Sequence, residues 1–331
     1  MGLMINGVWS TSDTAEIQQN GQFVRKPSAF RNWITPDGSA GPTGDPGFKA
    51  EAGRYHLYVS YACPWAHRTL IYRSALGLQD AISISVVHPV NMENGWEFDA
   101  FPGATPDAVN AARYLYQVYA HADPLYSGKV TVPILWDLQT GTIVNNESSE
   151  IMRMLGDAFG AIATAPVDFY PSHLRAEIDA LNADIYTHLN NGVYRCGFAA
   201  TQTAYDIAVT GLFGALDRLE SRLANRRYLC GDAITECDWR LFTTMIRFAP
   251  VYYFHFKCNL RPLSAYPNVL RHTRDLLHQP GIRETVHLDH INTHYYLAHR
   301  RINPLGLIPI GAQIDLDGPD WDAPDWQATG H

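Results

Sequence analysis

The chain has 331 residues, long enough for two domains of about 100–200 residues each. Apolar residues make up 46% and charged residues 18%, the composition of a folded chain and not of a disordered one. With 25 Lys and Arg against 33 Asp and Glu the net charge is −8, so no broad positive field exists to hold a nucleic-acid backbone or an anionic membrane.

No window approaches the ~20 apolar residues of a membrane span, and the opening MGLMINGVWSTSD has neither the basic stretch nor the apolar run of a signal peptide. The expectation is a cytoplasmic protein with no nucleic-acid or membrane partner. Cys63, Cys196, Cys230, Cys237 and Cys258 are odd in number, scattered and without a C-x-x-C pair, so neither a disulfide framework nor a zinc knuckle fits. All but Cys63 read as small buried hydrophobes.

Residues 1–52 lack sustained periodicity and form an amino-terminal extension, in which GSAGPTGDPG at 38–47 reads as an ordered loop or lid. From residue 55, a β-prone run carrying Leu57 and Val59 leads to Cys63, and a helix from Pro64 is closed by Gly77. AISISVVHP at 81–89 reads as a mostly buried strand that completes a βαβ unit. After an insertion at 90–128, VTVPILWD (130–137) and GTIVNN (141–146) read as a hairpin, and ESSEIMRML starts a helix. The order βαβ then ββα is that of an α/β thioredoxin-like domain, placed at 53–160.

Beyond residue 170 the period becomes helical. Leu174, Ile178, Leu181, Ile185 and Leu189 share one stripe, and Leu212, Leu216, Leu219 and Leu223 repeat it. Thr235 with Asp238 three residues on has the form of a helix cap leading into WRLFTTMIRF. An all-α carboxy-terminal domain is expected over 170–300, followed by a proline-rich tail at 301–331.

Cys63 stands at the end of a strand and ahead of a helix whose first residue, Pro64, needs no N–H. Backbone N–H groups and the positive end of the helix dipole would then favour thiolate, the nucleophilic form. Ala66 stands where a resolving thiol would be, so a mixed disulfide at Cys63 must be resolved by an external thiol. Glu147-Ser148 opens the next helix, where N–H groups and the hydroxyl suit a carboxylate and Glu147 suits an ammonium; the alternative is a plain helix cap. His287, His290 and His294 share a helical face, but no H-E-x-x-H pattern is present and no metal is expected. His294 is placed near Tyr295, lining a pocket. Trp96 and Phe98 read either as core or as stacking groups for an aromatic substrate.

Eight segments, YVSYACPWAHRTL, HPVNMENGWEFD, YSGKVTVPILWD, IVNNESSEIMRM, NNGVYRCGFA, RYLCGDAITECDWRLFTTMIRF, PVYYFHFKCN and DHINTHYYLAH, together closely resemble the glutathionyl-hydroquinone reductases, the Xi class of glutathione transferases, over about residues 5–315. The resemblance implies the glutathione transferase architecture, glutathione as co-substrate, an aromatic glutathionyl-hydroquinone as substrate, and a homodimer. It implies that Cys63 is the catalytic cysteine, that Trp96, Lys129, Val130, Thr131, Val132, Glu147 and Ser148 contact glutathione, and that Tyr194 is the proton donor and acceptor. Tyr252 and Tyr295 match tyrosines that lower the thiol pKa.

The family fold also implies a cis Val132-Pro133 bond, against a base rate of about 5–6% of X–Pro bonds, through which Val132 would pair with a cysteinyl peptide. Lys129 departs from the usual Arg and exchanges a bidentate contact for a point charge. Ala249 replaces a common acid, and Cys230 and Cys237 replace residues that are usually not thiols. Two other readings remain: a broader monothiol transferase acting on mixed disulfides or dehydroascorbate, which needs Cys63 but not Tyr194, and a non-catalytic scaffold, which needs neither.

Overall fold

The structure is a computed structural model, and it describes residues 2–11 and 20–310. It divides into two compact units. Among the described residues the first holds 2–11, 25–168 and 284–308, and the second 20–24 and 169–283 with 309–310.

The first unit opens on a hairpin of β1 (Leu3–Ile5) and β2 (Val8–Ser10). Its centre is a four-stranded sheet of β3 (Tyr55–Val59), β4 (Ile82–Val86), β5 (Ile134–Asp137) and β6 (Thr142–Asn145), in the order β4-β3-β5-β6. β4 runs parallel to β3, whereas β5 and β6 are antiparallel to their neighbours. The parallel pair needs a crossover, supplied by α1 (Pro64–Ala75) and ended at Gly77, which has φ +62. Every residue of β3 is buried, as expected for a central strand covered on both faces. α2 (Leu115–Ala122) forms within the 90–128 insertion, and α3 (Ser148–Asp157) follows β6. The mixed sheet with its helices agrees with the thioredoxin-like reading. β5, however, begins only at Ile134: Lys129–Pro133 lies outside the sheet and the Val132-Pro133 bond is cis.

Of the described part of the 1–52 extension, residues 2–11 and 25–52 belong to this unit and are tied to it. Met4 bridges Gly128, and Arg31 bridges Asn145. Of the carboxy-terminal tail, residues 301–310 carry neither helix nor strand, and 311–331 lie outside the described residues.

The second unit is helical: α4 (Arg175–Ile185), α5 (Gly192–Gly197), α6 (Gln202–Leu223), α7 (Glu236–Met245) and α8 (Pro267–Leu277). Leu212, Leu216, Leu219 and Leu223 are all buried on α6. The stripe from Leu174 to Leu189 is not one helix, because a π-helical turn at Tyr186–Asn190 interrupts it. The apolar period also hides two buried amides. Asn182 donates to Glu236 at 2.9 Å and Asn190 to the Arg240 carbonyl at 2.8 Å, which gives each buried side-chain NH2 an acceptor.

The last helix, α9 (Leu288–Ala298), groups with the first unit, although the sequence reading carried the helical domain to residue 300. The reason lies in its side chains and in those of the turn ahead of it. The His67 ring on α1 meets the Thr285 hydroxyl at 2.8 Å, His290 donates to the Pro102 carbonyl at 2.6 Å and His294 to the Pro89 carbonyl at 2.7 Å. Helical periodicity identifies α9 as a helix but not which unit it packs on.

Candidate active site

Cys63 is the N-cap residue of α1, with extended backbone (φ −76, ψ 121) and Pro64 following at the first helical position. It makes no side-chain cap bond, so this helix start lacks the Ser, Thr, Asp or Asn oxygen that ordinarily occupies it. The half-buried sulfur is in no disulfide. Its thiol points at the Val132 carbonyl, 3.6 Å away, on the residue whose following peptide bond is cis. The sheet thus places strand end, helix start and the loop before β5 around one sulfur.

Two tyrosines absent from the sequence reading hold that loop. The Tyr119 phenol on α2 donates to the Thr131 carbonyl at 3.0 Å and accepts from the Thr131 amide at 3.2 Å and the Asn146 side chain at 3.0 Å. Burial pushes the Tyr119 hydroxyl up from its ordinary value, so it stays a protonated donor. Tyr126 donates to the Lys129 carbonyl at 2.8 Å. Neither had a sequence signal: Tyr119 sits in an aromatic-rich helix and Tyr126 just beyond it, and only the fold brings 119 to 131 and 146.

Glu147 caps α3, with its carboxylate accepting from the Ser149 amide and hydroxyl and from Ser28. Burial alone would push this carboxyl up, but the Ser149 and Ser28 hydrogen bonds and the nearby Arg68 guanidinium hold it below the usual carboxylate range. Ser148 is buried and accepts from Arg68 at 3.3 Å. Arg68 comes from CPWAHR, in the second turn of α1, and its guanidinium lies 4.5 Å from the Trp65 ring centroid. A helix N-terminus, a guanidinium and an ionised carboxylate therefore meet at 147–148, able to take both an anionic and a cationic end of one ligand. Ser28 and Arg31, which pairs with Glu150, are contributions from the extension that the sequence reading did not single out.

Trp96 is buried and stacks on His294 at 5.1 Å, so its faces are not both open to a ligand; Phe98 meets Tyr58 edge-on. His287 stacks on Tyr61 at 3.7 Å. His287 at the start of α9 and His290 and His294 within it are thus used in packing and hydrogen bonds. Among the described residues no group of three or more His, Cys, Asp or Glu side chains is arranged to hold a metal.

Of the three candidate tyrosines, Tyr295 lies in the first unit on α9, buried and edge-on to His294 and His299. Tyr194 on α5 and Tyr252 lie in the second, their ring centroids 6.2 Å apart. Phe23, Phe198 and Phe256 surround Tyr194. Tyr194 follows one π-helical turn, and Tyr252 ends the other, Phe248–Tyr252. Such turns, which widen the helix by one residue, recur at functional sites.

The cysteine reading needs one correction. Cys196, Cys237 and Cys258 are buried, but Cys230 is only half-buried, and its sulfur lies 3.6 Å from that of Cys237. The turn between Tyr228 and Gly231 leaves it at the surface, a feature that spacing alone does not reveal.

The glutathione S-transferase N-terminal domain family matches residues 62–158, and the C-terminal domain family matches 202–275. Glutathionyl-hydroquinone reductase YqjG of Escherichia coli (strain K12) is 54% identical over 320 residues, 96% of this chain and 98% of that one. Glutathionyl-hydroquinone reductase PcpF of Sphingobium chlorophenolicum is 48% identical over 318 residues, with the same coverage. The glutathione-bound structure of YqjG, a glutathione transferase homolog from Escherichia coli K-12, has a TM-score of 0.89 and 52% identity, covering 97% of this chain and 98% of its own. The chain is a glutathione transferase in architecture. It belongs to the Xi class, the glutathionyl-hydroquinone reductases.

Proposed function

We propose that this protein uses glutathione to reduce glutathionyl-hydroquinones to hydroquinones, with Cys63 as the nucleophile. The observation that carries the reading is the uncapped α1 N-terminus at Cys63, with its sulfur 3.6 Å from Val132 beside a cis peptide bond. Glutathione is a cysteinyl peptide, and Val132 is the group against which its backbone would pair. Its γ-glutamyl end carries one ammonium and one carboxylate, which match Glu147 and the Ser148–Arg68 start of α3. Lys129, Val130, Thr131 and Trp96 complete the glutathione-binding set on the strength of family membership.

The substrate poses a specific difficulty: its glutathionyl sulfur is bonded to an aromatic ring carbon, which cannot depart as a carbanion. Tyr194 donates a proton to that carbon, giving a keto tautomer as one ring hydroxyl loses its proton. The Cys63 thiolate then attacks the glutathionyl sulfur, the carbon–sulfur bond breaks, and its electron pair restores the aromatic ring. A phenolate results and is protonated, leaving hydroquinone and a Cys63–glutathione disulfide. A second glutathione thiolate attacks the glutathione sulfur of that disulfide, releasing oxidised glutathione and regenerating the Cys63 thiolate. Glutathione is oxidised and the substrate reduced by one two-electron step. Tyr252 and Tyr295 are assigned as donors that favour the thiolate.

Family membership also supports a cytoplasmic homodimer. Among the described residues no helix is long and apolar enough to cross a membrane. The direct test mixes glutathionyl-menadiol with glutathione and follows menadiol and oxidised glutathione together. Equal yields of both, lost in Cys63→Ala, are expected; full turnover by Cys63→Ala removes the reading.

A further inference from the structure

The helical unit carries a second thiol centre. Cys230 lies half-buried in the turn closed by reciprocal bonds between Tyr228 and Gly231, and its sulfur is 3.6 Å from that of buried Cys237 in the first turn of α7. Both flanks are fixed by one buried carboxylate. Asp238 accepts the Leu229 amide at 2.8 Å on one oxygen, and on the other the Thr235 amide and hydroxyl, each at 2.8 Å. His272 holds the first oxygen at 2.8 Å, and Arg222 donates to the Leu229 carbonyl at 2.6 Å. The Thr235 hydroxyl also contacts the Cys237 sulfur at 3.1 Å. A disulfide needs about 2.05 Å between sulfurs, so side-chain rotation alone has little distance to close and the backbone on either side is already held.

We propose that Cys230 and Cys237 are a dithiol–disulfide couple, distinct from Cys63, that takes oxidised glutathione as its substrate. Cys230 attacks one glutathione sulfur, breaking the S–S bond, forming a Cys230–glutathione disulfide and releasing a glutathione thiolate. Cys237 passes its proton to that thiolate and attacks the Cys230 sulfur, and the second glutathione leaves as a thiolate that takes up the proton of Cys230. Two protein thiols are oxidised to one disulfide, and one oxidised glutathione is reduced to two glutathiones.

Two further observations favour this order. The hydrogen bond from Cys237 lowers the Cys230 thiol against the opposing effect of burial, whereas burial raises Cys237, so the half-buried sulfur is the better first nucleophile. The contrast with Cys196 and Cys258 is instructive: these also hydrogen-bond one another, but both are buried and neither meets a tripeptide disulfide first.

The test uses the full-length Cys63→Ala protein, so that its outcome is independent of the function proposed above. The folded protein is incubated with oxidised glutathione, quenched with N-ethylmaleimide under denaturing conditions and mapped by peptide mass. The expected result is a Cys230–Cys237 linked peptide and loss of two alkylatable thiols, with Cys196 and Cys258 still labelled. Cys237→Ala is expected to stop at a glutathione adduct on Cys230, and Cys230→Ser to leave Cys237 alkylatable. Full labelling of both cysteines after exposure, or an adduct that persists on Cys230 with Cys237 present, overturns the proposal. In the wild-type protein a missing adduct at Cys63 counts against the proposed function alone.

Discussion

Cys63 and Cys237 both stand at the start of a helix, yet the two helix starts are built differently. At α1 the cysteine is itself the N-cap, and no oxygen takes its place. At α7 the cap is Thr235, locked with Asp238 in a reciprocal box, and Cys237 is turned into the interior two residues further on. The dipole favours an anion at either end. Only at α1 is the cap position left to the sulfur. A cysteine that takes the cap position is thus placed to meet a ligand from solvent, whereas one behind a cap supplied by another residue meets only a neighbouring sulfur.

The largest effect should come from removing the uncapped sulfur. Cys63→Ser supplies an N-cap oxygen and is expected to retain the fold while losing turnover of glutathionyl-menadiol by about 10³-fold or more, measured as menadiol formed. Activity within tenfold of wild type would break the comparison.

Tyr194→Phe tests the other half of the chemistry. A lost proton transfer should lower glutathionyl-hydroquinone reduction by about 10²-fold, with reduction of a simple mixed disulfide changed by less than about threefold. Equal losses for both substrates would point to a structural role for this ring in the Phe23–Phe198–Phe256 cluster. No loss for either would favour the broader monothiol transferase.

The strand that carries Cys63 to its position contains a pH-sensitive group. Burial between the Ser83 and Ser85 hydroxyls, outweighing the attraction of Asp107, pushes His56 down to about 4. The unfolded chain binds that proton near pH 6.5 and the native state only near pH 4. The His56 contribution is therefore complete above about pH 6.5 and is lost at about 1.4 kcal/mol per pH unit down to about pH 4, about 3 kcal/mol in all. Urea midpoints across this range should fall as pH falls, and His56→Asn should flatten that slope.

At the α3 start the effects are smaller. Glu147→Gln leaves the cap geometry but removes the charge, and the KM for glutathione should rise about tenfold with little change in kcat. Lys129→Arg restores a fork-shaped donor and should lower that KM by about two- to threefold. A tighter KM in Glu147→Gln would show that this carboxylate does not face an ammonium.

What could be read from the chain follows the same division. β3, α1, β4 and the β5–β6 hairpin were legible because their periodicity and turn residues are local, and with them came the placement of Cys63 and Glu147-Ser148. Tyr119 under Thr131, Ser28 on Glu147, the packing of α9 with the first unit and the proximity of Cys230 to Cys237 were not. Each joins residues through side chains whose partners are set by tertiary packing, which no window of sequence encodes. The helical stripe through Leu189 fails for a related reason: apolar spacing is blind to a π-helical turn whose buried Asn190 is satisfied from α7.

The central claim concerns the ionisation of one sulfur, and alkylation kinetics address it directly. The native protein is treated with iodoacetamide over a range of pH, and labelling is followed cysteine by cysteine by peptide mass. The account predicts that Cys63 reacts fastest at neutral pH, with a midpoint well below the ordinary thiol value of about 8.5, and that buried Cys196, Cys237 and Cys258 react more slowly. A Cys63 rate no greater than that of the urea-unfolded chain, with a midpoint near 8.5, would contradict it.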